Sequence, residues 1–273
     1  MKEEWLFIDT GSHSAAFNMA LDEVLLRWES EGRLKPVLRF YGWEPAGLSL
    51  GYFQKTKKRI NVEAAKAHGI DIVRRPTGGL AVLHDKELTY SVIIREDHEK
   101  MPSSVVEAYK VLSQGLLAGY QTLNIDAQLA TPEAIPGKSG TAVCFEEPSW
   151  YELVIDGKKA AGSAQTRQKG VILQHGSIPI EMDDGLLFDL FEYPNERVKE
   201  RARKAFGDKA VAINQVNRQH SFTLDEVKSA FKQGFEQGLG ITFIPYEPEE
   251  ELLEEARQLA KEKYEDPTYT FSR

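Results

Sequence analysis

Cysteine is nearly missing from this chain of 273 residues, which has one, Cys144. An intramolecular disulfide is excluded, and so is any zinc or iron–sulfur centre built from several thiolates of one chain. A lone thiol fits a reducing compartment. Long apolar runs are missing too. No stretch approaches the roughly 18 residues of a membrane span, and the apolar run Trp5–Ile8 is too short for a signal peptide. The expectation is a cytoplasmic protein with no membrane partner. There is no basic excess: 34 Lys and Arg against 42 Asp and Glu give a net charge of −8, which argues against nucleic acid as a partner. The six histidines (His13, His68, His84, His98, His175 and His220) show no close metal-ligand spacing. What is present is a mixed composition, 41% hydrophobic and 28% charged, enough to bury a sizeable core.

Strand-like and helix-like patterns alternate. Strands are expected at 5–8, 37–41, 48–52, 70–75, 80–84, 88–94 and 125–129. Apolar residues at helical spacing, Phe17, Ala20, Leu21, Val24 and Leu25, mark one helix, and Val105–Leu123 reads as a longer one. Asn61 caps a short helix. Asp156-Gly157 and Lys169-Gly170 are turn signals joining strands at 151–155, 158–165 and 171–180. Beyond Asp183 the pattern is helical. Thr223 with Glu226 forms a capping box, and Glu249–Tyr264 reads as one charged helix. The fold class is α+β, with mixed or antiparallel sheets flanked by helices, and a helical C-terminal part begins near residue 221.

Two motif matches carry little. Asp9-Thr-Gly-Ser12 looks like an aspartic-protease loop, but that chemistry needs two facing carboxylates. It reads as a turn after the first strand. Gly137-Lys-Ser139 looks like the end of a phosphate-binding loop, but Pro132 stands where the motif needs a glycine.

Three segments offer chemistry. In Arg74-Arg-Pro-Thr-Gly-Gly-Leu-Ala-Val-Leu-His84, adjacent Gly78 and Gly79 permit positive φ and close approach of a backbone or ligand. Side chains alternate along a strand, so one of Arg74 and Arg75 can face a cleft and the other solvent. A plain glycine hairpin fits as well. Cys144 is by default a small buried hydrophobe, although a loop position admits a nucleophile. Lys159-Ala-Ala-Gly-Ser-Ala164 is a strand of small residues headed by a lysine. It leaves room for a ligand or for close packing of another element.

Together these segments resemble the biotin/lipoate protein ligase and octanoyltransferase superfamily, along with Phe17-Asn-Met-Ala-Leu-Asp-Glu23 and Leu48-Ser-Leu-Gly-Tyr-Phe-Gln54. The resemblance covers residues 5–220. It implies a class II synthetase-like fold and a single catalytic domain over 1–273. Within the superfamily, Cys144 ahead of Pro148-Ser-Trp-Tyr-Glu152 is similar to the octanoyltransferases of Gram-positive bacteria.

That resemblance implies Cys144 and Lys159 as catalytic residues, with the Lys159 ammonium lowering the thiol pKa. It implies Arg75, Gly78, Gly79, His84, Gly162, Ser163 and Ala164 around the acyl group. The implied donor is octanoyl-acyl carrier protein. The implied acceptor is the lysine of a lipoyl domain, with the glycine-cleavage H protein favoured. A cysteine thioester is the intermediate, and neither ATP nor metal is required. Both partners tend to be acidic, which gives Lys55–Arg59 or Arg167–Lys169 a possible use. The family also suggests a monomer. Three alternatives stay open: an ATP-dependent lipoate or octanoate ligase, an amidotransferase that takes octanoyl groups from the H protein, and a noncatalytic acyl- or lipoyl-domain-binding protein.

Overall fold

In the computed structural model, residues 2–57, 59–130, 152–217 and 220–273 are described. The element order begins β1 (Glu3–His13), α1 (Ala15–Ser30), β2 (Val37–Trp43), β3 (Gly47–Leu50), α2 (Val62–Ala67), β4 (Asp71–Arg74) and β5 (Val82–His84). Next come β6 (Glu87–Arg95), α3 (Val105–Thr122), β7 (Gln128–Ala130), β8 (Glu152–Ile155), β9 (Lys158–Gln168) and β10 (Val171–Pro179). Helices α4 (Asp184–Asp189), α5 (Glu196–Gly207), α6 (Ile213–Val216) and α7 (Leu224–Leu239) follow, then β11 (Ile241–Pro245). The chain ends with α8 (Glu250–Leu259), its π-helical continuation Ala260–Tyr264, and α9 (Pro267–Thr270).

Strand β6 shows how the core is built. Residues 87–94 are all buried, as expected of a strand covered on both faces. Tyr90, Val92 and Ile94 meet α3 and α7 through Leu112, Leu116, Phe231 and Phe235. Ile93, on the other face, joins Ile8, Val37 and Leu173 beneath α1, where Leu21, Val24 and Leu25 pack. The large sheet runs β11-β1-β2-β6-β10-β9-β8-β7. The pairs β11–β1 and β1–β2 are parallel, and those from β2 onward are antiparallel. A smaller mixed sheet has the order β4-β3-β5. The fold is therefore the expected mixed-sheet architecture flanked by helices.

Helices α3 and α7 touch through glycines. A Cβ on Gly234 would lie 2.2 Å from the Gly119 nitrogen, and one on Gly238 would lie 2.3 Å from the Gln114 carbonyl oxygen. Their backbones approach because no side chain intervenes, and Phe231 and Phe235 cover the seam.

The turns form as their residues dictate. Asp156 and Gly157 have φ of 49° and 75°, and Lys169 and Gly170 have 52° and 74°. Both are two-residue connections with positive φ at each position, the geometry that matches strand twist. Thr223 accepts from the Glu226 N–H while the Glu226 carboxylate accepts from the Thr223 N–H.

Several expectations change. Asp9–Ser12 is not a turn after β1. It lies inside β1 at a bulge, with Gly11 at φ 67°, and pairing with β2 resumes at Ser12. The C-terminal part is not purely helical, because Ile241–Pro245 forms a strand paired in parallel with β1. The helix expected to run to Tyr264 passes into a π-turn at Ala260.

Candidate active site

A cavity of about 240 Å³ lies between the small sheet and the β2, β6, β9 and β10 region of the large one. Of the expected site residues, Arg75, Gly79, His84, Lys159, Gly162, Ser163 and Ala164 line it. Gly78 does not line it, but stands beside Gly79. Cys144 lies outside the described residues, as does Gly137-Lys-Ser139. Tyr41, Trp43, Thr89, His175 and Ser177, which stand in no motif, also line the cavity, as does Met19 of the Phe17–Glu23 segment.

The glycine loop is shaped by close approach. Gly79 has φ 94°, and a Cβ on Gly51 would lie 1.8 Å from the Gly79 carbonyl oxygen. Only a residue without a side chain fits at Gly51, and Gly79 takes the left-handed conformation that favours glycine. Arg75 folds back over this loop. It donates to the Gly78 and Leu80 carbonyls at 2.7 and 2.8 Å and to the Ser49 carbonyl at 2.9 Å. The guanidinium thus clamps the loop along one wall of the cavity.

Arg74 does not face solvent. It is fully buried and donates to the carbonyls of Gly51, Gln54 and Thr270 at 2.7, 3.0 and 2.9 Å. It ties the chain's C-terminal segment to the loop that supports Gly79.

Two buried polar chains reach the cavity. In the first, Thr77 Oγ1 is 2.6 Å from His175 Nε2, and His175 Nδ1 is 3.3 Å from Asp22 Oδ2. Asp22 also accepts from Arg39 and Tyr41 at 2.8 and 2.9 Å. Burial holds the His175 pKa below its ordinary value despite the Asp22 carboxylate. A neutral ring with its proton on Nδ1 donates to Asp22 and accepts from Thr77 at Nε2. Burial alone would raise the Asp22 carboxyl, but Arg39 and His175 outweigh it and hold the group below its ordinary range.

In the second chain, His84 Nε2 is 2.8 Å from Ser49 Oγ, and His84 Nδ1 is 2.7 Å from Glu87 Oε1. Glu87 also accepts from the Thr89 and Ser177 hydroxyls. The polar lining groups thus satisfy one another, and Met19, Leu80, Val82 and Trp43 give the cavity apolar wall. That combination suits an uncharged chain that needs no hydrogen bonds of its own.

Lys159 stands on the wall of the cavity. It is 5% exposed, and its Nζ is 2.6 Å from Glu152 Oε1. The small-residue strand behind it packs tightly: a Cβ on Gly176 would lie 2.5 Å from the Gly162 carbonyl oxygen. Tyr120 donates to the Ala160 carbonyl, and Tyr90 shares a 2.7 Å hydrogen bond with Ser163. Among the described residues no group of three His, Cys, Asp or Glu is placed to hold a metal ion.

The two mixed sheets thus enclose a largely apolar cleft between an arginine-clamped glycine loop and a lysine-bearing strand. The profile of the lipoyl protein ligase A/B catalytic domain matches residues 14–236, and the chain belongs to that family. The chain is similar to octanoyltransferase LipM of Anoxybacillus flavithermus at 56% identity, covering 100% of this chain and 99% of the relative. It is similar to octanoyltransferase LipM of Bacillus subtilis at 54%, over 100% and 99%, and to that of Staphylococcus aureus at 51%, over 99% of each chain. Its fold is that of a bipartite lipoate protein ligase from Thermoplasma acidophilum, with a TM-score of 0.80, 23% identity and coverage of 98% and 96%. Lipoate-protein ligase A bound with ATP gives a TM-score of 0.77 at 24% identity, over 99% of each chain.

Proposed function

We propose that this chain is an octanoyltransferase of lipoate biosynthesis, moving the octanoyl group of octanoyl-acyl carrier protein to the acceptor lysine of a lipoyl domain. The observation that carries the reading is identity of 51–56% over essentially the whole chain with relatives named octanoyltransferase LipM. The mostly apolar cavity bearing Lys159 is what such a transfer needs.

In this reading Cys144 carries the acyl group between donor and acceptor. Its thiolate attacks the thioester carbonyl carbon. A C–S bond forms to Cys144, the carrier's C–S bond breaks, and the carrier leaves as a thiol with the proton that Cys144 lost. The neutral amine of the acceptor lysine then attacks. A C–N bond forms, the Cys144 C–S bond breaks, and the nitrogen's extra proton returns to the thiolate. Lys159 stabilises the thiolate and the developing oxyanion. The energy of the thioester makes ATP unnecessary. Arg75, Gly78, Gly79, His84, Gly162, Ser163 and Ala164 surround the acyl group. The H protein is the expected acceptor, and the reading carries with it a cytoplasmic, monomeric enzyme.

The test is incubation with octanoyl-acyl carrier protein and H protein, without ATP. Octanoylated H protein is expected, together with one octanoyl mass on the enzyme that is labile to hydroxylamine and absent in Cys144→Ser. Transfer only with ATP and free acid identifies a ligase. Transfer only from octanoyl-H protein to another lipoyl domain identifies an amidotransferase.

A further inference from the structure

Lys159 is aimed by its surroundings rather than by its own strand alone. The β8–β9 register shifts between Leu153, opposite Ala161, and Val154, opposite Lys159. One extra residue on β9, Ala160, makes a bulge, a device that re-aims side chains beside functional sites. At this bulge the Lys159 backbone bonds elsewhere. Its N–H donates to the Lys209 carbonyl at 2.7 Å, and its carbonyl accepts from the Val211 N–H at 3.0 Å. A parallel bridge to Ala210 results.

The side chain has a second anchor. Glu152 is two residues from Val154 on the neighbouring strand, so it stands diagonally across from Lys159 on one face, within reach of long side chains. Its carboxylate meets Nζ at 2.6 Å, with side-chain exposures of 5% for Glu152 and 6% for Lys159. A buried pair of this kind is poor value for stability alone. Both ions lose their water, and well-packed apolar residues of similar volume would serve as well or better. Lys159 nevertheless stands on the wall of the cavity, with Glu152 behind it, which points to use in the reaction.

We propose that Glu152 is a positioning residue for acyl transfer, holding the Lys159 ammonium in the orientation from which it meets the reacting thioester. This rests on the octanoyltransferase reading above. Glu152 is not among the residues that line the cavity. It acts through Lys159.

The experiment measures kcat and KM for transfer from octanoyl-acyl carrier protein to a lipoyl domain. The proteins are the full chain, Glu152→Gln, Lys159→Met and the double variant. Glu152→Gln keeps the size and a hydrogen-bonding oxygen but removes the charge. It is expected to lower kcat roughly a hundredfold, the scale of a misplaced catalytic group, with the donor KM within about twofold of wild type. The double variant is expected to be no slower than Lys159→Met alone, because Glu152 has nothing left to position. Wild-type kcat in Glu152→Gln, or losses that multiply in the double variant, overturns the proposal.

If Glu152→Gln does not fold, Glu152→Asp decides. It keeps the charge but shortens its reach, and is expected to lose about tenfold in kcat; a wild-type rate there overturns the proposal. A wild-type chain that transfers nothing overturns the functional reading and the proposal with it, whereas wild-type transfer matched by the Glu152 variants overturns the proposal alone.

Discussion

The indole of Trp43 lies flat against the imidazole of His84, with ring centroids 4.1 Å apart and planes inclined by 11°. Its Nε1 donates to Thr89 Oγ1 at 2.8 Å, and a Cβ on Gly47 would lie 2.5 Å from its Cε3. His84 is fixed in turn by Ser49 and Glu87. Trp43 is therefore a rigid piece of cavity wall, stacked on one face by His84, crowded at Cε3 by Gly47 and hydrogen-bonded at Nε1. Replacing it with leucine lengthens the space available to an acyl chain. Trp43→Leu is expected to raise the decanoyl-to-octanoyl ratio of kcat/KM by roughly tenfold, the scale of about one methylene in an apolar pocket. Competition between the two carrier-bound acyl groups reads this ratio, and an unchanged ratio removes Trp43 from the control of chain length.

Gly176 faces the carbonyl of Gly162 across β9 and β10, and a Cβ there would also lie 2.7 Å from Ser163 Oγ and 2.8 Å from Tyr90 Cε1. Gly176→Ala must push the strands apart where they form the cavity wall. Overpacking of this kind costs about 1–3 kcal/mol. The expected loss in Tm is several degrees, at roughly 2–4 °C per kcal/mol for a chain approaching this size. Transfer activity should fall more than the small change in folded fraction explains. A thermal melt and an assay on the same sample separate the two effects.

Of the two basic segments that could meet acidic partners, the structure commits one internally. Arg167 donates to Glu96 and to the carbonyls of Pro102 and Ser103. Lys55, Lys57 and Arg59 are exposed and form no ion pair among the described residues. Nearby Phe53 is 74% exposed and lies beside Gly78, at the loop lining the cavity. Reversing the three charges together (Lys55→Glu, Lys57→Glu, Arg59→Glu) is expected to raise KM for octanoyl-acyl carrier protein at least tenfold at low salt. The kcat/KM for a small octanoyl thioester should stay the same. The gap should shrink as salt screens the encounter. Equal effects on both donors would show that the segment does not dock the carrier.

What could be read from the sequence follows from how local each signal is. The Asp156-Gly157 and Lys169-Gly170 turns, the Thr223 capping box and the small-residue strand were legible because each is written in adjacent residues. Strand β11 was not. It is a five-residue edge strand whose partner, β1, lies at the other end of the chain, so no turn announces it. His175 has no motif around it, standing among Gln174, Gly176 and Ser177 of β10, and only the fold brings it to Thr77 and Asp22. Glu152 lies in a stretch that the sequence reading quoted, but its link to Lys159 depends on a bulge that alternation does not encode. Arg74 was misjudged because simple alternation assumes one wet face, whereas the C-terminal segment covers that side of β4.

Glu29 gives a prediction about pH. It lies in the last turn of α1 and is 2% exposed, and its Oε2 is buried with no hydrogen-bond partner among the described residues. Burial, only partly offset by Arg95, pushes its pKa up from 4.5 to about 7. A carboxylate at a helix C-terminus is unfavourable for the same reason a cation there is favourable. Between those two values the folded chain keeps a proton that the unfolded chain releases. This group's contribution to stability is therefore present at acid pH and lost as pH rises through about 7. His175, whose pKa is lowered, works in the opposite sense, its stability being lost as pH falls below the ordinary histidine range. The wild-type profile mixes both, so the informative quantity is the difference between wild type and Glu29→Gln. That difference should be near zero at pH 4, below the ordinary glutamate value. At pH 8 the variant should melt about 2–5 °C higher, corresponding to roughly 1–2 kcal/mol. Paired thermal melts at the two pH values measure it, and an equal difference at both would show that Glu29 does not carry the buried proton.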